Sequence, residues 1–411
     1  MTTRILLSAY SCEPEKGSEP GAGYSLVRAA SELGECWVLT RGNNVASLDF
    51  AIREQPPRNP IHVVAVDGPD WTLAAKRRFG LTRAYYVLWQ RIARGLAREL
   101  DDAVGGFDIV HHVTMSAFWL PVGIARLDRP VVIGPISGGT FTPRSLLRLL
   151  GPKGLVRDVV RAGFARIRAG TVRRQWRNVS VLLAQNREMA VFTRRHSLVP
   201  ATTPVVRVSH GIEPAVTIPR TLTGRRREVV FVGRLVGWKG VIAAVDAFAR
   251  ARVGDARLVF IGDGSDRSMI EKRVRSRGLT DRVEFTGPLD RPVVLERMRH
   301  AACLLFPSFH DSAGFVVSEA LSLGLPVVCL DHGGPGELVR SWPDIPSDAV
   351  PVSTLDETIN RLAVAIERFV EDLVPIPPEI AVASTTLSST LARVYRMALD
   401  PAGTDHVDGV M

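Results

Sequence analysis

The chain has 411 residues, 46% of them hydrophobic and 23% charged, an ordinary globular composition whose length favours two or three domains over one. Four cysteines, Cys12, Cys36, Cys303 and Cys329, are widely spread, with no C-x-x-C pair and no close histidine; this excludes a zinc set and reads as reduced, buried thiols. The net charge of +10 is uneven: residues 1–210 hold 29 Lys and Arg against 16 Asp and Glu, and the rest hold 23 against 26, so the first half is the one that would meet an anionic partner.

No aromatic RNA-binding signature or zinc finger accompanies that charge, so no nucleic-acid partner is expected. The opening "MTTRILLSAYSCEPEKG" has an apolar stretch too short for a signal-peptide core or a membrane span, and a cytoplasmic location follows as the expectation.

In chain order, "RILLSAY" reads as a strand, Tyr24 to Leu33 as a helix, "CWVLT" and "IHVVAV" as strands, then a long helix, then "FDIVHHV" and "PVVIGPI" as strands. Near-continuous apolar runs separated by helical patterns indicate a parallel sheet covered on both faces. Within the long helix, Leu81, Tyr85, Trp89, Ile92, Leu96 and Leu100 form one stripe that reads as core. Residues 144–177 carry ten Lys and Arg interleaved with Leu, Val, Phe and Ile and a single acid, Asp158. Such a basic amphipathic segment suits an anionic membrane surface, and equally a solvated helix face.

The stretch 210–227, rich in Gly, Pro, Thr and Arg, reads as a linker. After it the pattern restarts with "EVVFVG", "ARLVFIG", "RVEFTG", "ACLLFPS" and "LPVVCL", a second doubly wound domain over 228–383 after a first over 1–209. A helix over 384–400 could pack on either domain, and 401–411 reads as a frayed tail.

In open parallel sheets ligands bind beyond the carboxyl ends of the strands. After the first strand comes a loop with Gly17, Gly21 and Gly23, where backbone N–H groups could approach a phosphate. The second strand ends in Thr40 and Arg41 rather than an acid, which leaves an NADP-dependent dehydrogenase as a minor alternative, Arg41 taking a 2′-phosphate. In "VGRLVGWKG", Gly233 and Arg234 stand five residues before Lys239; two cations just past a strand end can converge on a diphosphate. Asp263 and Asp266 in "IGDGSD" read as a turn capping the next helix rather than a metal site. Pro288 and Leu289 end "VEFTGPL", where a nucleobase could lie. "FHDSAGFVVSEALSLGLPVV" sets Asp311 and Glu319 eight positions apart around a glycine and an apolar run.

This ordered set resembles glycosyltransferase family 4, retaining enzymes with the GT-B fold; "GSEPGAGY", "HHVT" and "GPISGGT" look like a subgroup with GSEPG and GP-x-x-GG motifs. The resemblance implies two Rossmann-like α/β domains facing a central cleft, the first binding the acceptor and the second the nucleotide sugar. It also implies that Arg234 and Lys239 hold the donor diphosphate, Glu319 the ribose hydroxyls and Asp311 the donor sugar, with the backbone of Gly314, Phe315 and Val316 and of Gly21 near sugar or phosphate oxygens. His111 or His112 corresponds to a family histidine near the reacting sugar. The implied co-substrate is a UDP- or GDP-linked sugar, with no other cofactor and no metal, and the implied acceptor is a glycan, glycolipid or lipid-linked molecule; the basic segment 144–177 adds the expectation of a peripheral position at the inner face of the cell membrane. Asp311 and Ala313 depart from the commoner Glu and aromatic, and His210 from Asn. The departures at Asp311 and Ala313 suggest a second reading, a catalytically inactive GT-B-like binding or assembly subunit.

Overall fold

The computed structural model describes residues 2–14, 16–208, 227–371 and 387–400. The linker over 210–227 with His210, apart from its last residue, and the tail over 401–411 lie outside the described residues. Two compact units result.

The first unit runs β1 (Arg4–Ser8), α1 (Ser18–Ser31), β2 (Glu35–Thr40), α2 (Gly42–Glu54), β3 (Ile61–Ala65), α3 (Asp70–Phe79), α4 (Thr82–Ala103), β4 (Ile109–His112) and β5 (Val131–Ile136). It continues through the later turns of α5 (Gly151–Gln175), then β6 (Val181–Ala184), α6 (Arg187–Arg195) and β7 (Val205–Arg207). Its sheet is fully parallel in the order β3-β2-β1-β4-β5-β6-β7, with Leu7 opposite both Val38 and His111. β1, β4, β5 and β6 are buried almost throughout, which is why they read as unbroken apolar runs rather than alternating ones. Two short strands, "VLLA" and "VVR", extend the sheet beyond the four that the sequence pattern picks out after the first.

The second unit takes Thr140–Phe164 and the described part of Ser209–Ser384. Its elements are β8 (Glu228–Val232), α7 (Val241–Arg250), β9 (Arg257–Ile261), α8 (Arg267–Ser276), β10 (Val283–Gly287), α9 (Arg291–His300), β11 (Cys303–Phe306), α10 (Phe315–Ser322), β12 (Val327–Leu330), α11 (Gly333–Ser341), β13 (Asp348–Val350) and α12 (Leu355–Glu371). The sheet order is β10-β9-β8-β11-β12-β13, again parallel, with Val230 opposite both Val259 and Leu304. The strand order reverses between β8 and β11, which makes their carboxyl ends the crevice of this sheet. The final helix, α13 (Leu387–Leu399), returns to the first unit: Leu391, Val394 and Tyr395 join its core beside Ile109 and Val132.

Three readings need correction. The glycine loop after β1 is largely helix: α1 starts at Ser18, so Gly21 and Gly23 sit in its first two turns. A Cβ on Gly21 would lie 2.0 Å from the Lys16 carbonyl oxygen, so the glycine lets the loop fold down on the helix. The core stripe of α4 is rotated, with Tyr85, Tyr86, Trp89, Gln90, Ala93 and Ala97 buried and Leu81 47% exposed. Tyr86 and Gln90 displace the leucines because they bond to one another in the interior. Finally, residues 140–164 fall in the second unit, because Leu146, Leu149 and Leu150 of a 3₁₀ turn insert into its core against α7. Among the described residues no helix is long and apolar enough to cross a membrane.

Candidate functional site

Eight of the singled-out side chains and backbone positions gather at the crevice of the second sheet: Gly233, Arg234 and Lys239 after β8, and Asp311, Gly314, Phe315, Val316 and Glu319 after β11. Gly233 and Arg234 follow the end of β8 at Val232; the chain then turns through a short 3₁₀ segment, Gly237–Lys239, into α7. This loop is pinned by the turn after β9. Leu235 donates its N–H to the Asp263 carbonyl (3.0 Å), Asp266 donates its N–H to the Leu235 carbonyl (3.0 Å), and Gly237 donates its N–H to Asp266 Oδ2 (2.7 Å). Asp266 therefore spends its carboxylate on the neighbouring loop and makes no side-chain cap to α8, contrary to the helix-cap expectation. A Cβ on Gly262 would lie 2.2 Å from the Gly233 carbonyl oxygen, so the glycine of "IGDG" is the spacing that lets the two loops run side by side.

Two aromatic rings carry the cations. Lys239 Nζ stands 4.8 Å from the centroids of both Trp238 and Phe306, and the Arg234 guanidinium carbon is 5.7 Å from that of Trp238. Trp238 is stacked in turn on His310, at 4.6 Å between centroids and 15° between planes. Lys239 is ion-paired to Asp311 Oδ2, and both side chains are mostly buried. The other Asp311 oxygen accepts the N–H groups of Gly314 (2.9 Å) and Ala313 (3.2 Å), which shapes the loop ahead of α10. Burial raises the Asp311 carboxyl, but Lys239 and these two N–H groups outweigh it and hold it below its ordinary range. Lys239, Ala313 and Gly314 occupy three of the roughly four lone-pair positions of the carboxylate, which leaves about one for a hydroxyl donor.

Gly314 is the N-cap of α10, and Phe315 and Val316 form its first turn. The helix dipole points its positive end at that turn. Glu319 lies one turn further on, largely buried, with Arg291 of α9 on its Oε1 at 3.0–3.1 Å. Burial raises the Glu319 carboxyl and Arg291 only partly opposes it. Pro288 and Leu289 follow β10 two strands away in the same sheet.

Sequence reasoning missed Trp238, Arg291 and the buried group beneath His310. Asp158 of α5, the single acid of the basic segment, is buried: Arg161 Nη2 lies 3.3 Å from its Oδ1 and His310 Nε2 lies 3.4 Å from the same atom. Burial, with Arg161 adding, pushes the His310 imidazole down to about 3, so it is neutral at physiological pH. A cavity of about 90 Å³ opens between Trp238, His310 and the start of α5. His332 Nε2 meets the Phe141 carbonyl at 2.9 Å, which ties the segment ahead of the 3₁₀ turn to the start of α11. Only the excess of arginine around one aspartate could have hinted at such a pairing.

In the first unit, His111 and His112 alternate across the sheet. His111 places Nδ1 3.0 Å from the Tyr395 hydroxyl and Nε2 2.9 Å from the Gly134 carbonyl; His112 places Nδ1 3.2 Å from Ser8 Oγ and Nε2 3.4 Å from the Tyr86 hydroxyl. Burial pushes them down to about 4 and about 3 respectively, so both are neutral. Gly21 packs against the Lys16 carbonyl, and Arg41 Nε donates to the Tyr10 carbonyl at 2.9 Å. Among the described residues no group of three or more His, Cys, Asp or Glu side chains is arranged to hold a metal ion.

The family described as "Glycosyl transferases group 1" matches residues 219–372, that is, the second unit. The alpha-D-kanosaminyltransferase of Streptomyces kanamyceticus is 29% identical over 179 residues, 41% of this chain and 45% of that protein. The first curated relatives match over less than half of their own length. Over nearly the whole chain the fold is that of sucrose-phosphate synthase from Thermosynechococcus elongatus, with a TM-score of 0.60 at 16% identity, covering 96% of this chain and 98% of that one. Anabaena HepE, solved with UDP and glucose, follows at 0.53 and 16% identity, covering 96% and 99%. The architecture is therefore GT-B.

Proposed function

We propose that the protein is a retaining glycosyltransferase that moves a sugar from a nucleotide-diphosphate sugar to a glycan, glycolipid or lipid-linked acceptor without a metal ion. The observation that carries this is the convergence at one crevice of two cations, Arg234 and Lys239, with the N-terminus of α10 and the acids Asp311 and Glu319. Cations and a helix N-terminus beyond strand ends suit a diphosphate, and a buried carboxylate one helical turn deeper suits vicinal ribose hydroxyls. The family match over this unit and the UDP held by HepE support the same reading.

In the transfer, the bond between the anomeric carbon and the diphosphate oxygen breaks, and its electron pair goes to the phosphate. The acceptor oxygen bonds the same face of that carbon, and its proton passes to the departing phosphate. Arg234 and Lys239 hold the growing negative charge, which lets them do the electrostatic part of the catalysis. Losing either one should slow transfer roughly a hundredfold, about 3 kcal/mol of barrier. Asp311 orients the sugar and Lys239 together. The first unit would take the acceptor, and an acceptor linked to lipid would place the enzyme on the inner face of the cell membrane.

A thermal-shift panel of UDP-, GDP-, ADP- and dTDP-sugars, followed by turnover assays on the donor that binds, tests the proposal. Stabilisation by one donor is expected, with Lys239→Ala and Glu319→Ala each cutting transfer about a hundredfold in a folded protein. Unchanged turnover in both variants would sink the assignment, and binding without turnover across acceptors would instead mark an inactive binding subunit.

A further inference from the structure

Helix α5 turns apolar side chains to both of its sides. At about 100° per residue, Gly154, Asp158, Ala165, Ala169 and Val172 fall along one side, and these are its buried residues. Val156, Val159, Val160 and Ile167 fall on the opposite side, where they are 64%, 60%, 64% and 76% exposed. Lys153 and Arg157 border this strip along one edge, and Arg166 and Arg173 along the other, all exposed. The single acid of the segment, Asp158, faces inward against Arg161 and His310. The outward face is thus an apolar strip between two cationic margins, with no carboxylate.

Small residues suffice to pack α5 on the protein, so the β-branched strip contributes nothing to the fold while exposing apolar area to water. Its chemistry matches one partner. An apolar strip a few side chains wide can enter the boundary between headgroups and acyl chains, and cations on both margins then sit at the level of anionic phosphates. A second copy of this chain would bring like-charged margins together. We propose that the outward face of α5 docks on an anionic lipid bilayer. This docking is independent of the transfer chemistry and supplies the surface on which a lipid-linked acceptor would be met.

The test is co-sedimentation of the full chain with phosphatidylcholine vesicles, with and without phosphatidylglycerol, at low and high salt. Binding should require phosphatidylglycerol and weaken with salt. The triple variant Val156→Gln, Val160→Gln and Ile167→Gln, which keeps helix propensity, should lose about tenfold or more in vesicle partitioning. Replacing Lys153, Arg157 and Arg173 by Gln should remove the preference for anionic lipid. Circular dichroism, the melting temperature and the donor-induced thermal shift should match those of the parent chain in both variants. Failure of the parent chain to bind either vesicle, or binding that the triple variant leaves intact, would overturn the proposal. So would self-association of the parent chain that the triple variant abolishes. A donor shift without vesicle binding would defeat the docking alone, and vesicle binding without a donor shift would defeat the transferase reading alone.

Discussion

Replacing Asp311 by Asn keeps an oxygen for the N–H groups of Ala313 and Gly314 but strips the charge opposite Lys239, whose side chain is only 15% exposed. Removing one partner of a buried ion pair leaves the other uncompensated, at a cost of about 3–5 kcal/mol, and the remaining exposure puts this case near 3. Lys239→Met is milder. Asp311 then keeps its two backbone donors, each worth about 1.5–3 kcal/mol to a charged acceptor, so the expected loss is about 2 kcal/mol. In the double variant neither charge is stranded, and the expected cost of about 2–3 kcal/mol makes the coupling between the two sites about 2–3 kcal/mol. Hydrogen exchange read by mass spectrometry on peptides from β8 and β11 reports this locally, free of the first unit's own unfolding. A coupling below about 0.5 kcal/mol would refute the reasoning, because the ion pair would then not hold the loop after β11 to the loop after β8 in solution. The double variant should be about as stable as either single variant and should have none of the donor affinity, which separates the scaffold role of the pair from its role in binding.

Glu319→Ala should weaken donor binding about a hundredfold by calorimetry, the worth of two hydrogen bonds to a charged acceptor. Arg291→Ala, which removes a half-exposed partner from the same carboxylate, should change it less than about threefold. Acid should destabilise the protein: His111, His112 and His310 have folded values of about 4, about 3 and about 3, below the ordinary 6.5. Their contribution is therefore complete above pH 6.5 and lost as pH falls toward 3–4, about 2 kcal/mol per histidine by pH 5. A melting temperature that rose between pH 7 and pH 5 would contradict this. Tyr395→Phe, which takes away the hydroxyl at His111 Nδ1 in a fully buried setting, should cost about 1–3 kcal/mol in thermal or denaturant melts.

Much of the architecture was legible because parallel strands buried on both faces are unbroken apolar runs, and "RILLS", "EVVFV" and "CLLF" need no context to be recognised. The positions of Arg234, Lys239, Asp311 and Glu319 past the ends of β8 and β11 followed from that pattern. The three-residue strands β7 and β13 were not legible, since so short a run has no period of its own. The start of α1 was misjudged because glycine signals a turn locally, while its reason here, the Lys16 carbonyl, lies across the loop. Partners set by tertiary proximity leave no local mark: nothing in "VRDVVRAG" says that its aspartate faces His310, 152 positions on, or that its valines face water.

The path of the chain has a temporal consequence. The sheet of the first unit is covered on one side by α13, whose Tyr395 reaches His111 and whose Leu391 and Val394 complete the same core. Those residues leave the ribosome only after the described strands of the second unit. The amino-terminal unit therefore cannot finish folding as it is made; it waits, its side of β4 and β5 uncovered, while every strand of the later unit is synthesised and can close. A ribosome stalled before residue 387 should display a protected second unit and a protease-sensitive first one, the reverse of the usual vectorial order.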